Sequence, residues 1–125
     1  MDNNESVTSI CGLERLDLVF TIVSRGKGEY VVDVLREHGI FQNTICHGHG
    51  TAPSKILEKF GLGATEKDVV LTFVRHERSH DILELISRKL DFEKPGNGIT
   101  FTVPLQSVAG MIPFKFLTAE YPEEV

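Results

Sequence analysis

The stretch Asp17–Ile40, DLVFTIVSRGKGEYVVDVLREHGI, decides the fold, because its pattern returns 51 residues later as Asp68–Asp91, DVVLTFVRHERSHDILELISRKLD. Laid on each other without gaps, Asp17 meets Asp68, Val19 meets Val70, Thr21 meets Thr72 and Val23 meets Val74. Identities at every second position follow the side-chain period of a β-strand. The period then changes. Val31, Val34, Leu35 and His38 recur at i, i+3, i+4 and i+7, which predicts an amphipathic helix closed by Gly39. In the second copy Ile82, Leu85, Ile86 and Leu90 repeat the stripe, with Ser79 or Glu77 near the start and Lys89 near the negative end of the helix dipole. Each copy is a strand followed by a helix.

A further strand is expected after each helix, at Asn43–His47 and at Ile99–Val103. In the second, Ile99, Phe101 and Val103 face one way, Thr100 and Thr102 the other. The sum is βαββαβ, an α+β ferredoxin-like split sandwich with an antiparallel sheet and two helices on one face. The domain is placed at 15–108, after a polar segment 1–14 and before a C-terminal extension 109–125. Between the second and third strands, PSKILEKFGLG puts Pro53 at a first helical turn and Ile56, Leu57 and Phe60 on an apolar face before Gly61. A short helix inside a long connection is expected there. The sheet face away from the helices is expected to carry Val19, Thr21, Val23, Val70, Thr72 and Val74, a surface too apolar for water. A closed homo-oligomer covers such a face. The apolar tail residues Met111, Ile112, Phe114, Phe116 and Leu117 are likewise expected to cover the sheet or a neighbouring subunit.

The 125 residues are 41% hydrophobic and 25% charged, enough for one domain with its own core. With 18 acidic against 13 scattered basic residues and a net charge of -5, nothing steers the protein toward nucleic acid or anionic lipid. No apolar run reaches the roughly 18–20 residues of a membrane span, and MDNNESVTS lacks the character of a signal peptide. A cytoplasmic protein with no direct membrane insertion is expected, with Cys11 and Cys46 as reduced thiols.

Two glycine-containing motifs remain, ICHGHGTAPSK (Ile45–Lys55) and KPGNGITF (Lys94–Phe101). In the first, His47 and His49 point to one side of a continuing strand and suit two imidazole ligands, with Cys46 on the other side. His76 and His80 have the i, i+4 spacing of ligands on one helix face. A Cys46–His47 catalytic dyad is disfavoured, since neighbours on a strand point to opposite faces. A phosphate loop is disfavoured too, because the spacing G-x-x-x-x-G-K-[ST] is not met and Pro53 has no N–H to offer. In the second motif, Gly96 and Gly98 permit positive φ and close backbone approach. That reads as a plain turn into a strand or as a nest of N–H groups for an anion.

The order VSRGKGEYVVDVLREHGI, then GHGT, then KPGNGITFTVPLQSV resembles the P-II family of nitrogen regulatory signal proteins in a divergent form, over roughly Leu16–Val108. The stretch GNGITFTVPL looks like the family's B-loop and the strand after it, and GHG at Gly48–Gly50 like the base of its T-loop. The resemblance implies a homotrimer of ferredoxin-like subunits, acting as a sensor and not an enzyme. Its inter-subunit clefts would take ATP or ADP, with 2-oxoglutarate and magnesium in typical members, while a shortened T-loop meets an unidentified protein target. Site residues implied here are Gly48, Gly50 and Thr51 from one subunit with Gly96, Asn97 and Gly98 from another. The chain departs from the pattern where Thr51 and Ala52 stand in place of Arg-Gln, where Ile99 replaces a lysine, and where LQSVAGMI lacks an arginine pair. Two alternatives stay open: a CutA-like trimer binding a divalent metal through His47 and His49, and a structural trimer with no ligand.

Overall fold

The computed structural model describes residues 15–50 and 66–109. Its elements are β1 (Leu16–Ser24), α1 (Gly28–Glu37), β2 (Asn43–His49), β3 (Glu66–Arg75), α2 (His76–Leu90) and β4 (Ile99–Pro104). The strands lie in the order β2-β3-β1-β4, and every neighbouring pair is antiparallel. This is the ferredoxin-like arrangement expected from the repeat. The short helix foreseen around Pro53–Phe60, the polar segment 1–14 and the apolar tail from Met111 fall outside the described residues.

Both helices end by the same device. In α1 the N–H of Ile40 donates to the Leu35 carbonyl and that of Gly39 to Arg36, with Gly39 at φ +83°. In α2 the N–H of Phe92 donates to Ser87 and that of Asp91 to Arg88, with Asp91 itself left-handed at φ +56°. These are Schellman-type closures, satisfying carbonyls that would otherwise be orphaned. At its other end α2 follows β3 without a loop, and the N–H of His76 donates to the Arg15 carbonyl. Ser79 lies buried inside the first turns, its hydroxyl bonding to the His76 carbonyl, so it does not cap the helix.

The core lies between the sheet and the two helices. Val31, Val34 and Leu35 of α1 and Ile82, Leu85, Ile86 and Leu90 of α2 pack on Val19, Val23, Val70 and Val74. Each fully buried side chain of this kind contributes roughly 1.5–3 kcal/mol. The expected facing of β1 and β3 is therefore reversed. Val19, Thr21, Val23, Val70, Thr72 and Val74 are fully buried beneath the helices, not on the open face. The reason is visible in LDLVFTIVS, which is apolar in both alternating phases, so that alternation alone does not say which phase the helices cover.

The open face is nonetheless apolar. Register places Leu18, Phe20 and Ile22 of β1 beside Phe73, Leu71 and Val69 of β3 on one flank, and beside Val103, Phe101 and Ile99 of β4 on the other. Phe20 and Phe101 are directly opposed and stacked, with ring centroids 5.1 Å apart and planes within 7°. Ile99, Phe101 and Val103 remain 48%, 39% and 42% exposed. Buried threonines stitch the helix side of the same ladder: Thr21 and Thr100 share a hydroxyl–hydroxyl hydrogen bond of 3.0 Å, and Thr72 donates to Asn43 Oδ1 at 2.8 Å.

Candidate functional site

The antiparallel sheet gathers four chain segments at one end: the β1–α1 turn, the end of β2, the start of β3 and the turn into β4. Gly48 pairs with Lys67, which pairs with Ser24, while Ile22 pairs with Ile99. Gly48 and Gly50 thus belong to the β2 edge, and Gly96, Asn97 and Gly98 lead into β4 at the opposite edge. Two strands intervene, a separation of roughly 14 Å at the usual strand spacing. A single chain sets the two expected ligand-binding segments at the same end but does not bring them together. Thr51 lies outside the described residues.

Strand β2 runs two residues further than the expected Asn43–His47, through Gly48 to His49. Gly48 sits in it as a strand residue. A Cβ there would meet Val69 Cγ2 at 3.5 Å, an ordinary contact. Gly98 is different. At φ +139°, a Cβ on it would lie 2.6 Å from the Ile22 carbonyl oxygen and 2.7 Å from the Phe92 ring, so packing against β1 demands glycine. Asn97 spends its side-chain amide on the Leu90 and Asp91 carbonyls at 3.2 and 2.9 Å, and its N–H on Lys94. Its Oδ1 is left as an acceptor. A small cavity of about 90 Å³ between Ser24, Lys27, Leu90, Gly96 and Asn97 links this turn to the one after β1.

Sequence reasoning missed the centre of this end of the sheet, which is Asp68. Its buried carboxylate accepts N–H bonds from Gly26 at 2.9 Å and Gly28 at 3.0 Å, and the Nδ1–H of His47 at 3.1 Å. Arg25 reaches it through Nε at 3.5 Å and reaches Glu66 through Nη2 at 2.6 Å. His49 faces Glu66 at 3.4 Å. Burial alone raises the Asp68 pKa, but the Gly26 and Gly28 amides and then His47 outweigh it, holding the carboxyl below its ordinary value of 3.8. A Cβ at Gly28 would come within 2.9 Å of Asp68 Oδ2, so RGKG is spaced to wrap this carboxylate. The signal was present in the sequence as two glycines after β1 and an aspartate on β3. Arg25, Gly26, Glu29, Ile45, His47 and Asp68 line a groove of about 420 Å³.

The internal repeat has a chemical counterpart. Asp17, the equivalent of Asp68, is also buried and accepts the Nδ1–H of a half-exposed histidine, His76, at 2.9 Å. Because β1 and β3 are antiparallel, the two aspartates lie at opposite ends of the sheet. His76 therefore stands roughly 25 Å along β3 from Asp68, and the His47–His49 and His76–His80 pairs do not converge. His80 is turned to Glu84 at 3.4 Å. Cys46 is exposed on the open face, opposite Val69 and on the other side of the strand from His47. Among the described residues no three His, Cys, Asp or Glu side chains cluster as a metal site, and no helix is long and apolar enough to cross a membrane.

No protein-family model matches the chain, and no curated protein sequence does. Solved structures do. CPII from Thiomonas intermedia K12 bound to ADP, AMP and acetate superposes with a TM-score of 0.59 at 18% identity, covering 78% of this chain and 91% of that one. CPII from the same organism, described as a nitrogen regulatory PII-like protein bound to ADP, AMP and bicarbonate, gives 0.57 at 21% identity, covering 78% and 97%. Identities this low establish architecture. The chain, divergent as its sequence is, carries the fold of the PII-like nitrogen regulatory proteins.

Proposed function

We propose that the protein is a PII-like regulator, not an enzyme, which assembles as a trimer and binds an adenine nucleotide between neighbouring copies. The observation that carries this reading is the placement of the two glycine segments at one end of the sheet and on opposite edges of an apolar open face. In a ring of copies packed through that face, the β2 edge of one subunit meets the β4 edge of the next. Gly48, Gly50 and Thr51 then stand across a cleft from Gly96, Asn97 and Gly98. Backbone N–H groups and the Thr51 hydroxyl serve the anionic part of the ligand, and Asn97 Oδ1 accepts from its sugar or base. The similar CPII structures hold ADP and AMP, which favours that ligand class over other anions.

The effector in this reading lies against the β2 root of the connection between β2 and β3 and against the turn into β4 of a neighbouring copy. Its binding changes the surface that Ala52–Lys67 offers to a protein target, in nitrogen or related metabolite regulation. Thermal shift with ATP, ADP, AMP and cyclic nucleotides tests the proposal. A ligand of the native state at about 100 times its Kd adds about 2.7 kcal/mol of stability, so at least one adenine nucleotide is expected to raise Tm in a saturable manner. No response to any of them would overturn the nucleotide reading.

A further inference from the structure

The end of β2 presents two histidines whose ring orientation is already set. Asp68 and Glu66 are carboxylates and accept hydrogen bonds, so the Nδ1 atoms facing them at 3.1 and 3.4 Å carry the protons. The Nε2 lone pairs of His47 and His49 are then the ring atoms left for a ligand. A carboxylate behind Nδ1 with Nε2 presented outward is the arrangement that metal-ligating histidines use, since it fixes the tautomer and raises the basicity of the ligating nitrogen. Both side chains are about two-thirds exposed, at 65% and 66%. They stand on the same strand face two residues apart, within the reach of two imidazoles sharing one ion.

The local charge agrees. Arg25 supplies one positive charge against the two negative charges of Glu66 and Asp68. Glu29, which makes no ion pair among the described residues, lines the same groove as His47. With neutral imidazoles the cluster is net acidic and favours a cation. No second pair has both rings oriented in this way: His38 turns Nδ1 to the Val34 carbonyl, and of His76 and His80 only the first has a carboxylate behind Nδ1, while His80 directs Nε2 to Glu84. By register the two histidines share the helix-side face of β2 with Ile45, whereas Gly48 lies on the open face.

We propose that His47 and His49 form a two-imidazole site for a borderline transition-metal ion, oriented by Asp68 and Glu66, with its remaining positions open to water or an exchangeable ligand. Imidazole donors select Cu(II), Ni(II) and Zn(II) over Mg(II) and Ca(II), and the order of affinities puts Cu(II) first. The absence of a third clustered donor among the described residues makes it an exchangeable site, not a closed structural one.

The test is calorimetric titration of the full chain, free of nucleotide, with Cu(II) and with Zn(II), alongside the electron paramagnetic resonance spectrum of the Cu(II) form. One ion per chain and hyperfine coupling from two imidazole nitrogens are expected. His47→Ala and His49→Ala should each weaken binding at least tenfold, and Glu66→Gln by about tenfold through loss of the orienting carboxylate. His76→Ala should leave binding unchanged, and circular dichroism checks that each variant is folded. Undiminished binding in the folded His47→Ala/His49→Ala double variant, coupling from fewer than two imidazoles, or no binding by the wild-type chain would each overturn the site. Nucleotide binding is read separately, so failure here leaves that reading standing.

Discussion

His47 and Asp68 face each other directly across the β2–β3 ladder, with imidazole Nδ1 3.1 Å from carboxylate Oδ1. The same carboxylate holds the Gly26 and Gly28 amides. One buried acid thus ties the root of the β2–β3 connection to the start of α1.

Removing that acid should be costly. Asp68→Ala leaves two backbone donors without their acceptor, and a loss of about 2–4 kcal/mol is expected in urea unfolding. The pH dependence follows from the lowered pKa. The folded state holds the carboxylate ionised more strongly than the unfolded chain does, so its contribution is complete above the unfolded value of about 3.8 and is lost as pH falls through the lower folded value. Asp68→Asn should flatten the part of the acid unfolding profile that lies below the unfolded value. An unchanged profile would contradict the assignment.

The glycines should separate into two classes. Gly28→Ala forces a Cβ to within 2.9 Å of Asp68 Oδ2, and Gly98→Ala to within 2.6 Å of the Ile22 carbonyl at a positive φ. Each is expected to cost about 1–3 kcal/mol. Gly48→Ala meets only ordinary contacts and should change thermal stability by less than about 1 kcal/mol. Equal losses at Gly48 and Gly28 would contradict this reading of the turn.

The stacked pair Phe20–Phe101 marks the face that the assembly reading covers. Phe101→Asp places a charge among Phe20, Ile99 and Val103 with no partner; on the assembly reading, multi-angle light scattering should find the wild-type chain as an oligomer and this variant as a monomer. An oligomer of unchanged mass would show that copies do not meet through this face.

Much of this architecture was legible in the chain. The recurrence of Asp17, Val19, Thr21 and Val23 at Asp68, Val70, Thr72 and Val74, followed by helical stripes, was enough for the βαββαβ order and the antiparallel sheet. The facing of β1 and β3 was not, because Leu18, Phe20 and Ile22 are as apolar as the residues between them. Pairing partners decide that, and they are set by register between distant segments. The Asp68 network was hidden for the same reason: Arg25, Gly26 and Gly28 are some 40 residues away from it in sequence, and only the β1–β3 ladder makes them neighbours. His47 and His49 were legible as a same-side pair, but the carboxylates behind them were not.

The central claim is that copies of this chain hold an adenine nucleotide between them. Isothermal titration of the assembled protein with ADP tests it most directly, with Phe101→Asp as the disassembled comparison. The account predicts saturable binding with one ADP per chain in the wild type and its loss in the monomeric variant. Absence of ADP binding by the assembled wild-type protein, or equal binding by the monomer, would contradict it.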